Sequence, residues 1–388
     1  MKNPRNPRNA RTRTQCRSAR TIAGVGIALL STLIGVAGCS TDKPADTTAA
    51  PETSTSPDNT TAPAPGIATI TLVAYDSFAL SKGTLEQFRQ ETGIAVKVLT
   101  DGDAGEVVNK AVLTKGNPLG DVLWGVDNTF LDRAVKEQLF EPYEASTKPD
   151  LAAELTALVP GNEVTPVDYG DVCVNYDKAA LVAKGVPAPA TLEDLADPKY
   201  KGQLVVENPA TSSPGLAFLL ATVAHFGADG WLPYWKSLKA NGVLVVNGWT
   251  EAYETWFAGG TAKGDRPLVV SYASSPPAAV LFGPDPKATV APTGVIDATC
   301  FRQVEFAGIL KGTKHLAEAR KLIDFLSGTT VQEDLQLNMF VFPANTKAAL
   351  AKAFIDFAAR PAEPLTLSPA EIAASRDTWI DEWTKAAV

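Results

Sequence analysis

A strand-like segment, a hydroxyl-rich turn and a long apolar run follow one another in the middle of this chain. Residues 203–206 favour a strand, and the turn at residues 209–215 reads Pro-Ala-Thr-Ser-Ser-Pro-Gly. Ser213 is placed to cap a helix, Pro214 suits its first position, and Gly227 is placed to end it. Such a turn presents free N–H groups and hydroxyls to an anionic or strongly polar ligand, although a well-capped surface helix explains the same residues.

Similar turns recur along the chain at the ends of other predicted strands. Apolar alternation predicts extended segments at residues 68–74, 94–99, 121–126, 165–175, 203–206, 242–246, 268–272 and 298–307. Helical periodicity predicts helices at residues 84–92, around 107–112, and at 129–139, 216–226, 251–257 (capped by Thr250), 315–326 and after Ser368. The β-α-β-α-β order places polar turns at the carboxyl ends of strands, where open α/β sheets bind small molecules.

The N-terminal segment has the composition of an export signal. Residues 1–20 contain seven basic and no acidic side chains, and an uncharged, mostly apolar run follows at residues 21–38. A basic segment, an apolar segment and a small-residue site together indicate secretion. The length of the apolar run also fits a membrane-spanning helix.

The end of the apolar run resembles the lipobox of bacterial lipoproteins. Val36-Ala37-Gly38-Cys39 stands at this point, and cleavage would leave Cys39 as a lipidated N-terminus. This resemblance implies a signal peptide at residues 1–39, with export and anchoring to the outer face of the cytoplasmic membrane. Residues 40–66 are rich in Thr, Pro, Ala and Ser, which predicts a disordered tether.

The charge of the chain bears on its partners. The full chain has a formal net charge of −8, and cleavage before Cys39 would remove seven basic residues and no acid. The resulting acidic surface argues against nucleic acid as a partner and favours cationic ligands through long-range attraction.

Two cysteines remain once Cys16 has left with the signal and Cys39 has taken the lipid. These are Cys173 and Cys300, and outside the cytoplasm two leftover cysteines usually pair. We therefore expect a disulfide in preference to two separate buried thiols.

The 388 residues, 45% of them hydrophobic, suffice for two compact lobes. Two lobes follow if the extended segments containing Cys173 and Cys300 both cross between them. The expected domains are residues 67–168 plus 299–388 for lobe 1 and residues 169–298 for lobe 2.

The familiar motifs of catalysis are missing from the sequence. It contains no Gly-x-x-x-x-Gly-Lys-Ser/Thr phosphate loop, no Gly-x-Ser-x-Gly, no His-Glu-x-x-His and no Cys-x-x-Cys. Its two histidines, His225 and His315, lie at the ends of predicted helices and fit structural positions. Nothing in the sequence therefore supports an enzyme, a metal site or a cofactor.

The polar turns share three kinds of side chain. They carry the aromatic residues Tyr75, Trp249, Tyr272 and Phe340, the hydroxyls of Ser212, Ser213, Ser274 and Ser275, and the carboxylates of Asp76, Asp101 and Asp127. Aromatic faces around a flat cationic ring give stacking and cation–π attraction, and a carboxylate neutralises the cation. Each ring also fits a core position, because aromatic residues are heavily buried in any fold.

A collinear set of short stretches resembles the thiamine-binding proteins of bacterial ABC transporters, within the extracellular solute-binding proteins. The resemblance runs from about Thr69 to the C-terminus. The matching stretches are Tyr75-Asp76-Ser77-Phe78, Asp101-Gly102, Gly125-Val126-Asp127-Asn128, Asp168-Tyr169-Gly170, Thr211-Ser212-Ser213-Pro214-Gly215, Gly248-Trp249-Thr250-Glu251-Ala252-Tyr253, Ser271-Tyr272-Ala273-Ser274-Ser275-Pro276 and the helix Ser368 to Trp383.

The resemblance implies an α/β, two-lobed periplasmic-binding-protein-like fold with two crossover strands at a hinge. It implies a monomer that captures thiamine or its phosphates without chemistry or cofactor and delivers it to an ABC permease. The implied ligand contacts are Tyr75, Asp101, Gly102, Ser212, Ser213, Trp249, Tyr272, Ala273, Ser274, Ser275 and Phe340. The chain departs from the family at Phe340-Val341-Phe342-Pro343, where tryptophan often precedes Tyr-Pro, and this puts its preference among thiamine forms in question.

Three alternatives stay open at this point. A ferric-ion receptor usually needs adjacent tyrosines, and the sequence has no Tyr-Tyr pair. A polyamine receptor remains compatible because carboxylates and aromatic rings also suit alkylammonium groups. An anchored enzyme could act on a thiamine-like compound, for instance a hydrolase that uses Asp101 or a cysteine.

Overall fold

The computed structural model describes residues 68–260 and 264–387. The predicted signal peptide, Cys39 and the tether at residues 40–66 lie outside the described residues.

Ten strands form one mixed sheet in the described part of the chain. Their order is β2-β1-β3-β9-β5-β8-β6-β7, with β4 and β10 pairing on β9 and β5. The strands are β1 Ala68–Ala74, β2 Ile94–Thr100, β3 Val122–Asp127, β4 Phe140–Glu141, β5 Thr165–Asp177, β6 Leu204–Glu207, β7 Leu244–Val246, β8 Leu268–Tyr272, β9 Thr293–Leu310 and β10 Phe342–Pro343.

The sheet has two parallel halves joined by two long antiparallel strands. In the first half β1 pairs in parallel with β2 and β3, and in the second half β6 pairs in parallel with β7 and β8. Strands β5 and β9 pair with each other from Thr165↔Ala307 to Asp177↔Thr293, and they extend from one half into the other. Because β3 is antiparallel to β9 and β8 is antiparallel to β5, the two parallel halves run in opposite directions. Their carboxyl ends therefore face each other across the middle of β5 and β9.

Helices connect the strands and cover both faces of the sheet. They are α1 Thr84–Thr92, α2 Ala104–Leu113, α3 Leu131–Lys136, α4 Ala153–Thr156, α5 Lys178–Lys184, α6 Leu192–Leu195, α7 Ser213–Ala240, α8 Trp249–Glu251, α9 Pro276–Leu281, α10 Leu316–Leu326, α11 Thr329–Asn338, α12 Lys352–Phe357 and α13 Pro369–Ala387. Short 3₁₀ turns lie at Lys148–Asp150 and Pro198–Tyr200, and a π-helical turn at Ala252–Trp256 follows α8.

Helix α7 follows the hydroxyl-rich turn, with one correction at its start. The cap is Ser212, whose Oγ accepts from the N–H of Gly215 at 3.3 Å, and the predicted cap Ser213 is the first helical residue. Gly227 interrupts the helix with φ of 67°, as its position predicted, but a second helical segment follows it directly. Among the described helices, α7 alone is long and apolar enough to cross a bilayer. More than half of its most apolar stretch is buried inside the protein, as in the core helix of a globular domain.

Two other local predictions also need correction. Thr250 does not cap a helix: Gly248 is the N-cap of α8, and the Thr250 hydroxyl donates to Asp76 Oδ1 at 3.0 Å. The predicted helix at residues 129–139 is shorter, because α3 covers only Leu131–Lys136. Asp127 stabilises the turn before α3, since its Oδ1 accepts from the N–H of Thr129.

The C-terminal helix packs across the fold onto α7. Trp383 of α13 is fully buried and meets the ring of Trp235 edge-to-face, with ring centres 5.5 Å apart. The Ser368 capping box is present, since Ser368 and Glu371 exchange hydrogen bonds at the start of α13. Burying such rings contributes a large share of a core's stability.

The predicted disulfide is confirmed between Cys173 and Cys300. Both residues are fully buried and join β5 to β9. The pairing of the two strands is irregular here: Val172 lies opposite Phe301 and Val174 opposite Ile296, so residues 297–300 face the single residue Cys173. The disulfide therefore lies at a bulge in the long strand pair that connects the two halves.

Candidate functional site

A cavity of about 850 Å³ lies where the carboxyl ends of the two parallel halves face each other. The first half contributes Tyr75 after β1 and Asp103 after β2, and the second contributes Trp249 after β7 and Tyr272 at the end of β8. Glu305 of the crossing strand β9 lines the cavity between them. A volume of this size suits a small organic molecule, which would contact both halves at once.

All four rings predicted from the sequence line this cavity, namely Tyr75, Trp249, Tyr272 and Phe340. Tyr253 also lines it and lies parallel to Trp249, with ring centres 4.9 Å apart and planes 14° apart. Aromatic faces from both halves therefore border one common space, the arrangement that a flat ring between them needs.

The serines near these rings hold them in position. Trp249 Nε1 donates to Ser271 Oγ at 2.9 Å, and Ser271 Oγ lies 2.9 Å from Ser275 Oγ. The N–H of Tyr272 donates to the same Ser275 hydroxyl at 3.2 Å. Ser275, predicted to contact ligand, lines the cavity and also links Tyr272 to the Ser271 that orients Trp249.

Phe340 reaches the cavity from a strained backbone. Its φ is 56°, a left-handed conformation that bulky residues rarely adopt. Its ring lies edge-on to Phe282, with centres 5.7 Å apart, and both residues line the cavity. Strain of this kind persists where the surrounding structure fixes it and is concentrated at binding sites.

Three carboxyl groups from neighbouring strands, Asp127, Asp168 and Glu305, form an acid cluster, and one of them, Glu305, lines the cavity. Glu305 of β9 lies opposite Asp168 of β5 and opposite Asp127 of β3. All three are at least 95% buried, and the Tyr75 hydroxyl donates to Glu305 Oε2 at 2.9 Å.

Burial controls the ionisation of this acid cluster. It raises the pKa of Asp168 to about 7 and that of Asp127 to about 6. The pKa of Glu305 is raised well above its usual value, first by burial and then by repulsion from Asp168 and Asp127. A cation bound in the cavity would favour the ionised form of Glu305, the member of the cluster that lines it.

Asp103 links the two halves at one end of the cavity. Its Oδ1 accepts from the N–H of Ala104 at 2.6 Å and from the N–H of Ser213 at 3.2 Å, and its Oδ2 accepts from the N–H of Trp249 at 2.8 Å. The first N–H starts α2 in the first half, whereas the other two belong to the second half. One carboxylate therefore caps α2 and also bonds α7 and α8 across the cleft.

Five residues that the family resemblance implied as contacts are not among those that line the cavity. Asp101 is half-exposed and pairs with Lys110 at 2.6 Å, and the Gly102 carbonyl accepts from the N–H of Asp76 at 2.8 Å. Ser212 caps α7. Ala273 and Ser274 are fully buried, and the Ala273 N–H donates to the carbonyl of Asp171 at 2.8 Å. Ser213, by contrast, lines the cavity, and its Oγ accepts from Gln303 Nε2 at 2.8 Å.

Several lining residues were not among the predicted contacts. The most consequential are Asp103 and Glu305, followed by Tyr253, Phe282 and Met339. Asp103 belongs to the same polar turn as Asp101, so the sequence indicated its region but not which acid faces the cavity. Glu305 lies inside an extended segment, and no local signal distinguishes it from any other strand residue.

Metal binding finds no support in the described residues. No group of three or more His, Cys, Asp and Glu side chains among residues 68–260 and 264–387 could hold a metal ion.

Comparisons with known proteins identify the family of the chain. The family model for bacterial extracellular solute-binding proteins matches residues 117–360. The thiamine-binding periplasmic protein of Escherichia coli K12 is 30% identical over 334 residues, which are 84% of this chain and 95% of that protein.

Solved structures confirm the two-lobed α/β fold. A periplasmic thiamin binding protein superposes with a TM-score of 0.71 at 27% identity, over 82% of this chain and 96% of that one. The periplasmic binding protein P5PA gives the same TM-score at 17% identity, over 83% of this chain and 100% of the other, and supports the fold alone. The chain therefore belongs to the bacterial extracellular solute-binding proteins.

Proposed function

We propose that this chain captures thiamine, or its phosphates, in the cleft between two lobes and delivers it to an ABC permease. The observation that carries the proposal is the common cavity of Tyr75, Trp249 and Tyr272, whose rings come from both halves of the sheet. The relatives named for thiamine add support, since they match the chain over most of its length.

The charge of the cavity favours a cationic ligand. Its acidic lining residues are Asp76, Asp103, Asp177, Glu254 and Glu305, and none of the described lining residues is Lys, Arg or His. A ring that carries positive charge gains both cation–π attraction and attraction to these carboxylates. An aromatic cation fits this lining better than an aliphatic polyamine, because only a flat ring uses the facing aromatic surfaces fully.

The proposal includes a lobe motion and a membrane anchor. We assign residues 67–168 plus 299–388 to lobe 1 and residues 169–298 to lobe 2, with β5 and β9 as the hinge. Ligand that contacts both lobes favours their closure, and the closed surface is what a permease reads. A lipidated Cys39 would hold the protein, as a monomer, at the outer face of the cytoplasmic membrane.

Titration calorimetry with thiamine tests the proposed function. We expect one thiamine per chain, recovered chemically unchanged after gel filtration, and competition by spermidine only at much higher concentration. Conversion of thiamine would instead support an enzyme. Tighter binding of spermidine than of thiamine would support the polyamine alternative.

Trp249→Ala and Tyr272→Ala are each expected to weaken thiamine binding by about tenfold or more, because each removes one desolvated ring contact. Calorimetry measures the loss, and circular dichroism checks that the fold is intact. Trp256→Ala is the matched control, since Trp256 is half-buried near Trp249 and is not among the residues that line the cavity. Unchanged affinity in both cavity variants would contradict the site.

A further inference from the structure

One aromatic ring at the cavity is largely exposed to solvent. Phe282, the residue that ends α9, lines the cavity and is 63% exposed. Among the exposed large hydrophobic residues of the described ranges, it is the one aromatic ring. A side chain that lines a cavity and is also exposed lies where the cavity opens to solvent. Phe282 therefore marks the mouth of the cleft.

Helix α9 directs Phe282 towards this mouth. Ala278 and Ala279 also line the cavity, because residues three and four apart share one face of a helix, whereas Val280 is buried on another face. The N–H of Phe282 donates to the carbonyl of Ala278 at 2.9 Å. Pro284, which has no N–H to donate, follows two positions later, where the helix has ended. The ring is therefore attached to the last turn of a short helix that belongs to the second half of the sheet.

The ring opposite Phe282 belongs to the first half. Phe340 follows α11, which is bonded to the start of α1 because Thr84 Oγ1 donates to Asp334 Oδ2 at 2.9 Å. The ring of Phe340 stacks on the buried ring of Phe354, with centres 6.4 Å apart. Phe340 is therefore supported from behind. Phe282 meets it edge-on across the cleft, with centres 5.7 Å apart.

A hydrogen bond also crosses the mouth of the cleft. The Thr250 hydroxyl of the second half donates to Asp76 Oδ1 of the first half at 3.0 Å, and both residues line the cavity. An exposed hydrogen bond of this kind exchanges with water at little cost, whereas an edge-to-face pair of rings adds stability beyond the area that it buries. The contact between Phe282 and Phe340 is therefore the one that opposes separation of the two halves more strongly.

We propose that Phe282 gates the cleft: its contact with Phe340 holds the mouth closed over a bound ligand and slows the release of that ligand. This inference rests on the proposed function and deepens it, since it assigns control of thiamine release to one side chain. The contact joins the two halves, so it belongs to the closed state of the cleft. Its loss speeds opening and leaves the first encounter of ligand with the open cleft unchanged.

The rates of thiamine release and association test the inference. Protein loaded with radiolabelled thiamine and chased with excess unlabelled thiamine gives the release rate, and stopped-flow tryptophan fluorescence gives the association rate. Phe282→Ala should raise the release rate by about fivefold or more, because one edge-to-face ring contact is lost. It should change the association rate by less than about twofold. Phe282→Tyr, which keeps the ring, should release thiamine at the wild-type rate.

A double-mutant cycle separates a gate from a direct contact with the ligand. If Phe282 acts through Phe340, the release rate of Phe282→Ala/Phe340→Ala should equal that of Phe340→Ala alone. If Phe282 instead stacked on the ligand, its loss would speed release by the same factor in both backgrounds. Val290→Ala is the control, since Val290 is an exposed apolar residue in the loop after α9 and is not among the residues that line the cavity. It should keep both wild-type rates.

Each contrary result has a distinct meaning. A wild-type release rate in Phe282→Ala would overturn the inference and leave the proposed function standing. Equal acceleration by Phe282→Ala with and without Phe340, or an effect on association instead of release, would also overturn it. Failure of wild-type protein to bind thiamine would overturn the proposed function, and the inference with it.

Discussion

Replacing Cys173 and Cys300 together by alanine is expected to lower the free energy of unfolding by about 4–5 kcal/mol. The two cysteines are 127 positions apart, so the disulfide closes a long loop and removes much conformational freedom from the unfolded chain. It also joins β5 to β9 at the bulge between the two halves. Urea unfolding of the oxidised wild type and the double variant, followed by circular dichroism, measures the difference.

Reduction provides the control for this prediction. Unfolding the wild type in the presence of dithiothreitol should reproduce the lower midpoint of the double variant, and the double variant itself should not respond to reductant. Equal midpoints for the oxidised wild type and the double variant would show that the bond adds no stability.

Asp168→Asn is expected to stabilise the unliganded protein at pH 8 by on the order of 3–4 kcal/mol. Burial raises the pKa of Asp168 from 3.8 to about 7. Between these two pH values the folded state holds a proton that the unfolded state releases, and above pH 7 the folded state has to bury a charged carboxylate. The stability that this group contributes is complete below pH 4 and is lost as the pH rises through 7. Asparagine keeps the shape of the side chain, carries no charge and can donate to Glu305.

The pH dependence distinguishes this effect from a general change in packing. Between pH 4 and pH 8 the advantage of Asp168→Asn over the wild type should grow, as measured by urea unfolding at each pH. Asp381→Asn, at an exposed position on α13, should follow the wild type throughout. A constant difference between Asp168→Asn and the wild type at all pH values would contradict the proposed cause.

Secondary structure was most predictable where the apolar periodicity is strong and ends at a recognisable turn. β1, α1 and β8 occupy the residues expected from the sequence, because regular apolar patterns end there at turns. Tertiary contacts changed other boundaries. β9 begins at Thr293, earlier than predicted, because it pairs with the full length of β5.

The long helix α7 shows the same limit. Gly227 correctly marked the break, but Trp231 and Trp235 are buried after it, and Trp235 packs on Trp383. Partners that lie far along the chain therefore decide that the helix resumes. A local capping pattern carries no information about them.

The sequence allowed us to predict which aromatic residues share the cavity, but not which acidic residues line it. Tyr75, Trp249 and Tyr272 follow or end strands whose carboxyl ends meet, so strand order alone brought them together. Asp103 and Glu305 acquire their places through hydrogen bonds and strand pairing between distant segments. The resemblance to thiamine-binding proteins pointed to Asp101 instead, which pairs with Lys110.

Native mass spectrometry of the purified protein, before and after addition of thiamine, tests the central claim most directly. The aromatic cleft predicts one non-covalent, chemically unchanged thiamine per wild-type chain. It also predicts loss of that adduct in the double variant Trp249→Ala/Tyr272→Ala. Wild-type protein that retains no thiamine at saturating concentration, or a double variant that retains it as well as the wild type does, would contradict the account.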